Sequence, residues 1–270
     1  MMPRFENKYL VPVEKLQQLR NFILPYVEVD NYATRFFNNT YTVRSIYFDT
    51  PNLKFYREKI NGLSIRKKLR IRGYNSLEVN SKVFLEIKRK IHSSVSKNRA
   101  PVEYESMPAL IATSDIDSYA GLLKNQNGYL TDAQKFLYHI RKQALAPVIK
   151  IIYAREAYFY KFNPSLRVTF DKSIQSSLQC SLEELYGENN VICALPKHFI
   201  LEIKGQGAYP GWLQFLVGKM ELRLQALSKY VICIDSHRKF GPLLPHTART
   251  TSKAISYTKQ TKQEVLKNVG

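Results

Sequence analysis

Residues 63–90, LSIRKKLRIRGYNSLEVNSKVFLEIKRK, constrain this chain more than any other stretch. Taken with a period of two, Arg66, Lys68, Arg70 and Arg72 fall on one face of an extended strand, and Leu69 and Ile71 on the other. The segment VFLEIKRK repeats the pattern, with Glu86, Lys88 and Lys90 opposite Leu85 and Ile87. On a solvated sheet face, neighbouring rows of like charge repel each other. They are accommodated where that face lines a cavity holding a polyanion. Alternation alone leaves a solvated sheet and a nucleic-acid-facing sheet open beside a tunnel wall.

Charge and composition narrow the partner without choosing it. The 270 residues include 41 Lys or Arg against 22 Asp or Glu, a formal charge of +19. Such a field favours polyphosphate, nucleotide, nucleic acid or an anionic membrane. Three cysteines with no CxxC spacing argue against a disulfide framework or a zinc site. No signal peptide and no run of 18 apolar residues is present, so the expectation is a cytoplasmic protein without a membrane span.

Along the chain, RFENKYLV (4–11) reads as a strand and Val13–Leu24 as an amphipathic helix stopped by Pro25. YTVRSIYF (41–48) reads as a strand, followed by a short helix through Phe55 and Tyr56 and a hairpin-type turn at Asn61-Gly62. Residues 91–100 read as a polar segment, and 131–145 as a helix capped by Thr131 or Asp132. After Pro147, VIKIIYAREAYFY, LRVTFD and HFILEIKG read as strands, with a loop-like stretch at 173–197. WLQFLVGKMELRLQAL then reads as one helix, and the chain from 242 to 270 as a polar tail. LEIK occurs at 85–88 and again at 201–204, each after a strand that begins Leu-Arg. This short echo suggests a closed barrel with pseudo-twofold symmetry.

The series RFENKY, SIYFDT, LRIRGY, FLEIKRK, SVSKNR, YAREAY, LRVTFD, ILEIK and LSKY, in order from about residue 4 to 235, resembles the VTC-type polyphosphate polymerase domain of the triphosphate tunnel (CYTH-like) enzymes. The resemblance implies an α+β fold: an antiparallel, roughly eight-stranded β-barrel forming a triphosphate tunnel, with peripheral helices, over residues 1–241. It implies transfer of the ATP γ-phosphoryl group to inorganic polyphosphate. Arg70, Arg72, Lys88, Arg155, Arg167 and Lys229 match catalytic positions. Lys8, Arg44, Arg66, Lys68, Lys97, Lys204 and Ser228 are expected to bind substrate, with Arg44 equally able to brace Asp49. In the YAR strand Ile151 and Tyr153 share the face of Arg155, so its inward direction rests on the resemblance.

Glu202 matches the ligand for Mn²⁺ or Mg²⁺, while Glu86 is expected to form an ion pair. Asp171 is either a metal contact or a partner of Arg167. The expected partners are ATP and polyphosphate and not nucleic acid, and any membrane tethering would run through a membrane-protein partner. A tunnel hydrolase of tripolyphosphate or nucleoside triphosphates, and a non-catalytic polyanion binder, are the alternatives. The ExExK pattern of CYTH-type triphosphatases departs here to Arg4, Glu6 and Lys8, which fits the polymerase branch better.

Overall fold

Charge alternation becomes strand alternation in the computed structural model, which describes residues 4–92, 94–116, 128–178 and 180–240. The strands are β1 (Arg4–Pro12), β2 (Val27–Val29), β3 (Thr40–Asp49), β4 (Ile65–Tyr74), β5 (Lys82–Ile91), β6 (Ser94–Glu103), β7 (Ala146–Tyr160), β8 (Asn163–Leu178), β9 (Ile192–Cys193) and β10 (His198–Gln206). The helices are α1 (Leu16–Ile23), α2 (Lys54–Ile60), α3 (Met107–Thr113), α4 (Tyr129–Lys142), α5 (Gly211–Lys219) and α6 (Lys229–Phe240).

Eight strands form one antiparallel path, β1-β10-β8-β7-β3-β4-β5-β6, with β2 on β7 and β9 on β8 as short additions. The sheet curls into a half-barrel. Its two ends, β1 and β6, share no backbone ladder among the described residues.

Apolar residues decide which face is convex. Leu69, Ile71, Leu85 and Ile87 pack under Met107 and Leu110 of α3 and Phe136, Leu137 and Ile140 of α4. Tyr9, Val11, Val168, Leu201 and Ile203 pack under Leu19 and Ile23 of α1 and Leu213 and Leu216 of α5. Burying each of these side chains contributes about 1.5–3 kcal/mol. The concave face carries the charged rows, and one helix enters it. Tyr230, Cys233 and Ile234 of α6 pack on Tyr47, Ile149, Ile151 and Ile200.

Asp49 holds that helix in place. Its buried carboxylate accepts the amides of Phe55 (2.9 Å) and Tyr56 (3.0 Å) in the first turn of α2 and the hydroxyl of Tyr230 (2.6 Å) in α6. Arg44 makes none of these contacts.

The structure departs from the sequence reading in five places. Residues expected as a polar segment form most of β6, the eighth strand of the path. β8 runs on through Leu178 into the stretch expected as loop. Asn61-Gly62 is no hairpin turn: Leu63 N bonds Glu58 O and Gly62 N bonds Lys59 O with Gly62 at φ +70°, the Schellman closure of α2. α4 begins after Gly128, ahead of Thr131 and Asp132. The single late helix is two: α5 ends at Lys219, Glu221 takes φ +53°, Leu224 bridges to Tyr9, and α6 starts at Lys229. The polar tail lies outside the described residues.

The LEIK echo corresponds to real strand order. β3-β4-β5-β6 and β7-β8-β10-β1 run outward from the central β3–β7 pair, with the LEIK strand third in each half. The registers differ by two residues. Arg70 faces Glu86 in the first half, whereas Arg167 faces Lys204 and Thr169 faces Glu202 in the second.

Candidate functional site

The concave face gathers residues of every strand in the eight-strand path. Register places Glu6 and Lys8 of β1 beside Lys204 and Glu202 of β10, and Arg167, Thr169 and Asp171 of β8 next to them. Arg155 of β7 pairs with Asp171 and with Tyr41 of β3. Ser45 and Tyr47 of β3 lead to Arg72 and Arg70 of β4, then to Glu86 and Lys88 of β5, and to Arg99 and Lys97 of β6. Ser228 and Lys229 come in from the start of α6.

Three carboxylates act as internal counter-ions. Glu86, buried to 1%, meets Arg70 at 2.7 Å, Lys97 at 2.6 Å and Arg99 at 3.3 Å. Burial opposes its charge, but Arg70, Arg72 and Lys97 outweigh it and hold its carboxyl far below the usual range. Asp171 takes the Arg155 fork at 2.6 and 2.8 Å and Lys229 at 2.5 Å, so both of its oxygens are occupied. Asp171 is thus the partner of Arg155 and Lys229. Arg167 is held instead by Asp30 at 2.7 Å, with Tyr41 Oη at 3.3 Å. Glu202 meets Lys204 at 2.8 Å, Arg155 at 3.6 Å and Lys8 at 3.9 Å. Burial opposes its charge too, and Lys204, Lys8 and Lys229 overcome it.

Among the described residues, Arg72 and Lys68 are cations of this face without such a partner. Among the described residues Arg72 has no carboxylate within 4 Å; it donates to Ser45 Oγ (3.2 Å) and Tyr153 Oη (3.3 Å) and is 7% exposed. Lys68 donates to Ser228 Oγ at 2.6 Å and has no ion pair. Burial, and then Lys8, Lys59, Lys88 and Arg70 around it, push its ammonium pKa well below normal. A cation held among cations is a position that an anion stabilises.

Glu6 and Glu202 form the part of the site able to take a metal. Lys8 Nζ links the two carboxyls, 2.8 Å from Glu6 and 3.9 Å from Glu202. Thr169, the register partner of Glu202 on the same face, has a buried hydroxyl without a hydrogen-bond partner. No group of three His, Cys, Asp or Glu is assembled among the described residues. Two carboxylates suit Mg²⁺ or Mn²⁺, which complete their octahedra with phosphate oxygens and water, and do not suit zinc. Glu6 was legible as an inward residue, yet its place beside Glu202 follows only from the β1–β10 register.

Of the sequence-derived residues, Lys8, Lys68, Arg70, Arg72, Lys88, Lys97, Arg155, Arg167, Glu202, Lys204, Ser228 and Lys229 come together on the concave face. Arg66 shares their face at the end of its strand, donating to Leu63 O at 2.6 Å. Arg44 is corrected. It alternates with Val43 and Ser45, shares the convex side with Ile46 and Phe48, and is tied to Asn75 O at 2.7 Å and to Glu188. Position 44 has the wrong parity for the tunnel. The hydroxyls of Tyr47 and Tyr153, which orient Arg70 and Arg72, carried no sequence signal beyond strand propensity.

A curled antiparallel sheet with a basic concave face and counter-ions inside it defines a tunnel-type anion site. The VTC domain profile matches residues 3–238, and the chain belongs to that family. Similar solved structures include the PH1819 protein from Pyrococcus horikoshii OT3 (13% identity, TM-score 0.43, 86% of this chain and 99% of that chain). Another is the putative adenylyl cyclase HpAC1 from Hippeastrum, described as revealing a dominant triphosphatase activity (14% identity, TM-score 0.44, 87% and 96%). No curated protein matches. No helix among the described residues is long and apolar enough to cross a membrane.

Proposed function

We propose that this VTC domain is a metal-dependent polyphosphate polymerase that moves the ATP γ-phosphoryl group onto a growing inorganic polyphosphate chain. The observation that carries this reading is the uncompensated charge of Arg72 and Lys68 beside cations such as Arg70 and Lys229 that the wall's own carboxylates already hold. A bound polyphosphate supplies the missing anion.

The terminal oxyanion of the chain attacks the γ-phosphorus, and the bond from that phosphorus to the β,γ-bridging oxygen breaks, leaving its electron pair on ADP. Such a reaction needs in-line positioning and charge neutralisation. Arg72 presents its fork to the donor phosphates, beside Arg70, which Glu86 and Tyr47 hold in one orientation. Arg155, Lys229 and Arg167 face them from the other wall. Lys8, Lys68, Lys88, Lys97, Lys204, Arg66 and Ser228 follow the chain. Glu202, with Glu6 beside it, would hold Mn²⁺ or Mg²⁺, which contributes neutralisation of phosphate oxygens.

Transfer to phosphate fits the carboxylates better than hydrolysis does. Glu6, Glu86, Asp171 and Glu202 are all paired and all shifted down, so none is poised near neutrality to activate water. A purely passive binder gains nothing from carboxylates placed inside its own anion site. The test is to offer tripolyphosphate with Mn²⁺ as the sole phosphate compound. Slow turnover is expected, and rapid release of orthophosphate would assign the protein to the tunnel hydrolases.

A further inference from the structure

Lys68 Nζ and Ser228 Oγ lie 2.6 Å apart, a contact that phosphate binding alone does not require. Ser228 stands at the entry to α6. Its carbonyl accepts the Ile232 amide at 2.9 Å, and its Oγ lies 3.4 Å from Val231 N. Ser228 is therefore the N-cap of a 12-residue helix. The open amides and the dipole of such an end favour negative charge on the capping oxygen and on a phosphate joined to it. Ser228 is 6% exposed, and its contact with Lys68 places the hydroxyl in the concave wall, away from bulk solvent.

The pair has the make-up of a nucleophile and its base. A serine hydroxyl becomes nucleophilic when a base within about 3 Å takes its proton as it attacks. Lysine serves as that base when it is desolvated and crowded by cations, because the neutral amine is then accessible. Burial and the surrounding Lys8, Lys59, Lys88 and Arg70 give Lys68 this character. The hydroxyls of Ser45, Tyr47 and Tyr153 contact arginines instead, which cannot accept a proton. Arg70 lies two residues and about 7 Å further along the Lys68 face of β4. A donor phosphate held by Arg70 is thus next to the Lys68–Ser228 pair.

We infer that Ser228 is the first phosphoryl acceptor of the tunnel, with Lys68 as its base, so that a chain begins on the protein when no free phosphate chain is present. The inference rests on the reading that ATP is the phosphoryl donor. Ser228 Oγ bonds to the γ-phosphorus, the bond to the β,γ-bridging oxygen breaks, and ADP keeps its electron pair. The hydroxyl proton passes to the Lys68 amine. The ammonium so formed pairs with the new phosphoserine. An oxyanion of that phosphoserine is the next acceptor and attacks the γ-phosphorus of a second ATP.

The test incubates the full chain with Mn²⁺ and ATP radiolabelled at the γ-phosphorus, and counts label on the recovered protein before and after hot acid. Acid cleaves the anhydride bonds of polyphosphate and leaves a serine ester intact. The expected result is stoichiometric acid-stable label that peptide mapping places on Ser228. It is lost in Ser228→Asn, which keeps a capping side chain and so guards against misfolding. Lys68→Arg retains the cation without the base and is expected to slow labelling about 100-fold. Labelling of that variant at the wild-type rate overturns the assignment of Lys68 as base. Acid-stable label that survives in Ser228→Asn overturns the serine acceptor. Acid-labile chains from the wild type without acid-stable label overturn it too and leave the polymerase reading standing. Neither chains nor label overturns both.

Discussion

Lys88 on β5 and Glu6 on β1 meet at 2.7 Å, although their strands lie toward opposite ends of the sheet path. The curled sheet is thus closed by a side-chain contact where backbone pairing stops. Both groups are partly exposed, at 42% and 27%, so the pair contributes about 0.5 kcal/mol to stability. Lys88→Ala is expected to shift the melting temperature by no more than about 2 °C. Its affinity for tripolyphosphate should fall about tenfold, the value of one charge-assisted phosphate contact. Melting curves and calorimetry on the same preparation check both.

Lys68 should show the opposite sign in the two assays. Its ammonium is held among cations, with a folded-state pKa below the unfolded one. The resulting penalty is present in full below the folded value and vanishes above the unfolded value. Lys68→Met is therefore expected to stabilise the ligand-free protein at pH 7 by about 1 kcal/mol, or roughly 2–4 °C. The same variant should bind polyphosphate more weakly than wild type.

Glu86 predicts a pH dependence. Its folded-state pKa is depressed, so the stability it provides is present above the unfolded value near 4.3 and is lost as pH falls through the folded value. Glu86→Gln leaves Arg70, Lys97 and Arg99 without their carboxylate. It should destabilise the protein by about 2 kcal/mol at pH 7. Denaturation at a series of pH values should show that gap closing below about pH 4.

Arg72 and Arg44 lie on opposite faces of neighbouring strands and should separate cleanly. Arg72→Ala is expected to lower the phosphoryl-transfer rate by about 100-fold, as for loss of a preorganised transition-state donor. Arg44→Ala should leave the rate per folded molecule within about twofold while lowering the melting temperature, because it loses only Asn75 O and Glu188. Equal kinetic losses would mean that the strand parity is misassigned.

How much of this was legible in the sequence differs between elements. Both faces of β4 and β5 could be read because apolar and charged residues alternate over Lys68–Arg72 and Leu85–Lys88. β6 could not: its outward positions include Ser96, Asn98 and Ala100, and pairing with β5 and the Asp132 contacts to Asn98 and Arg99 define it. Residues 220–228 carry apolar side chains at helical spacing, but the positive φ of Glu221 and the bridge to Tyr9 break the helix. Arg155 reads ambiguously because Ile151 and Tyr153 share its face; that face meets α6 at one end and the tunnel at the other. The Glu6–Glu202 pair and the Lys68–Ser228 contact join segments far apart in the chain, so no local pattern reveals them.

The central claim is chain growth inside the tunnel. Purified protein incubated with ATP and Mn²⁺, its products resolved on a polyphosphate gel, tests it most directly. The expected result is ADP together with acid-labile chains longer than tripolyphosphate, and no such chains from Glu202→Gln. ADP and orthophosphate as the only products of the wild type would contradict it.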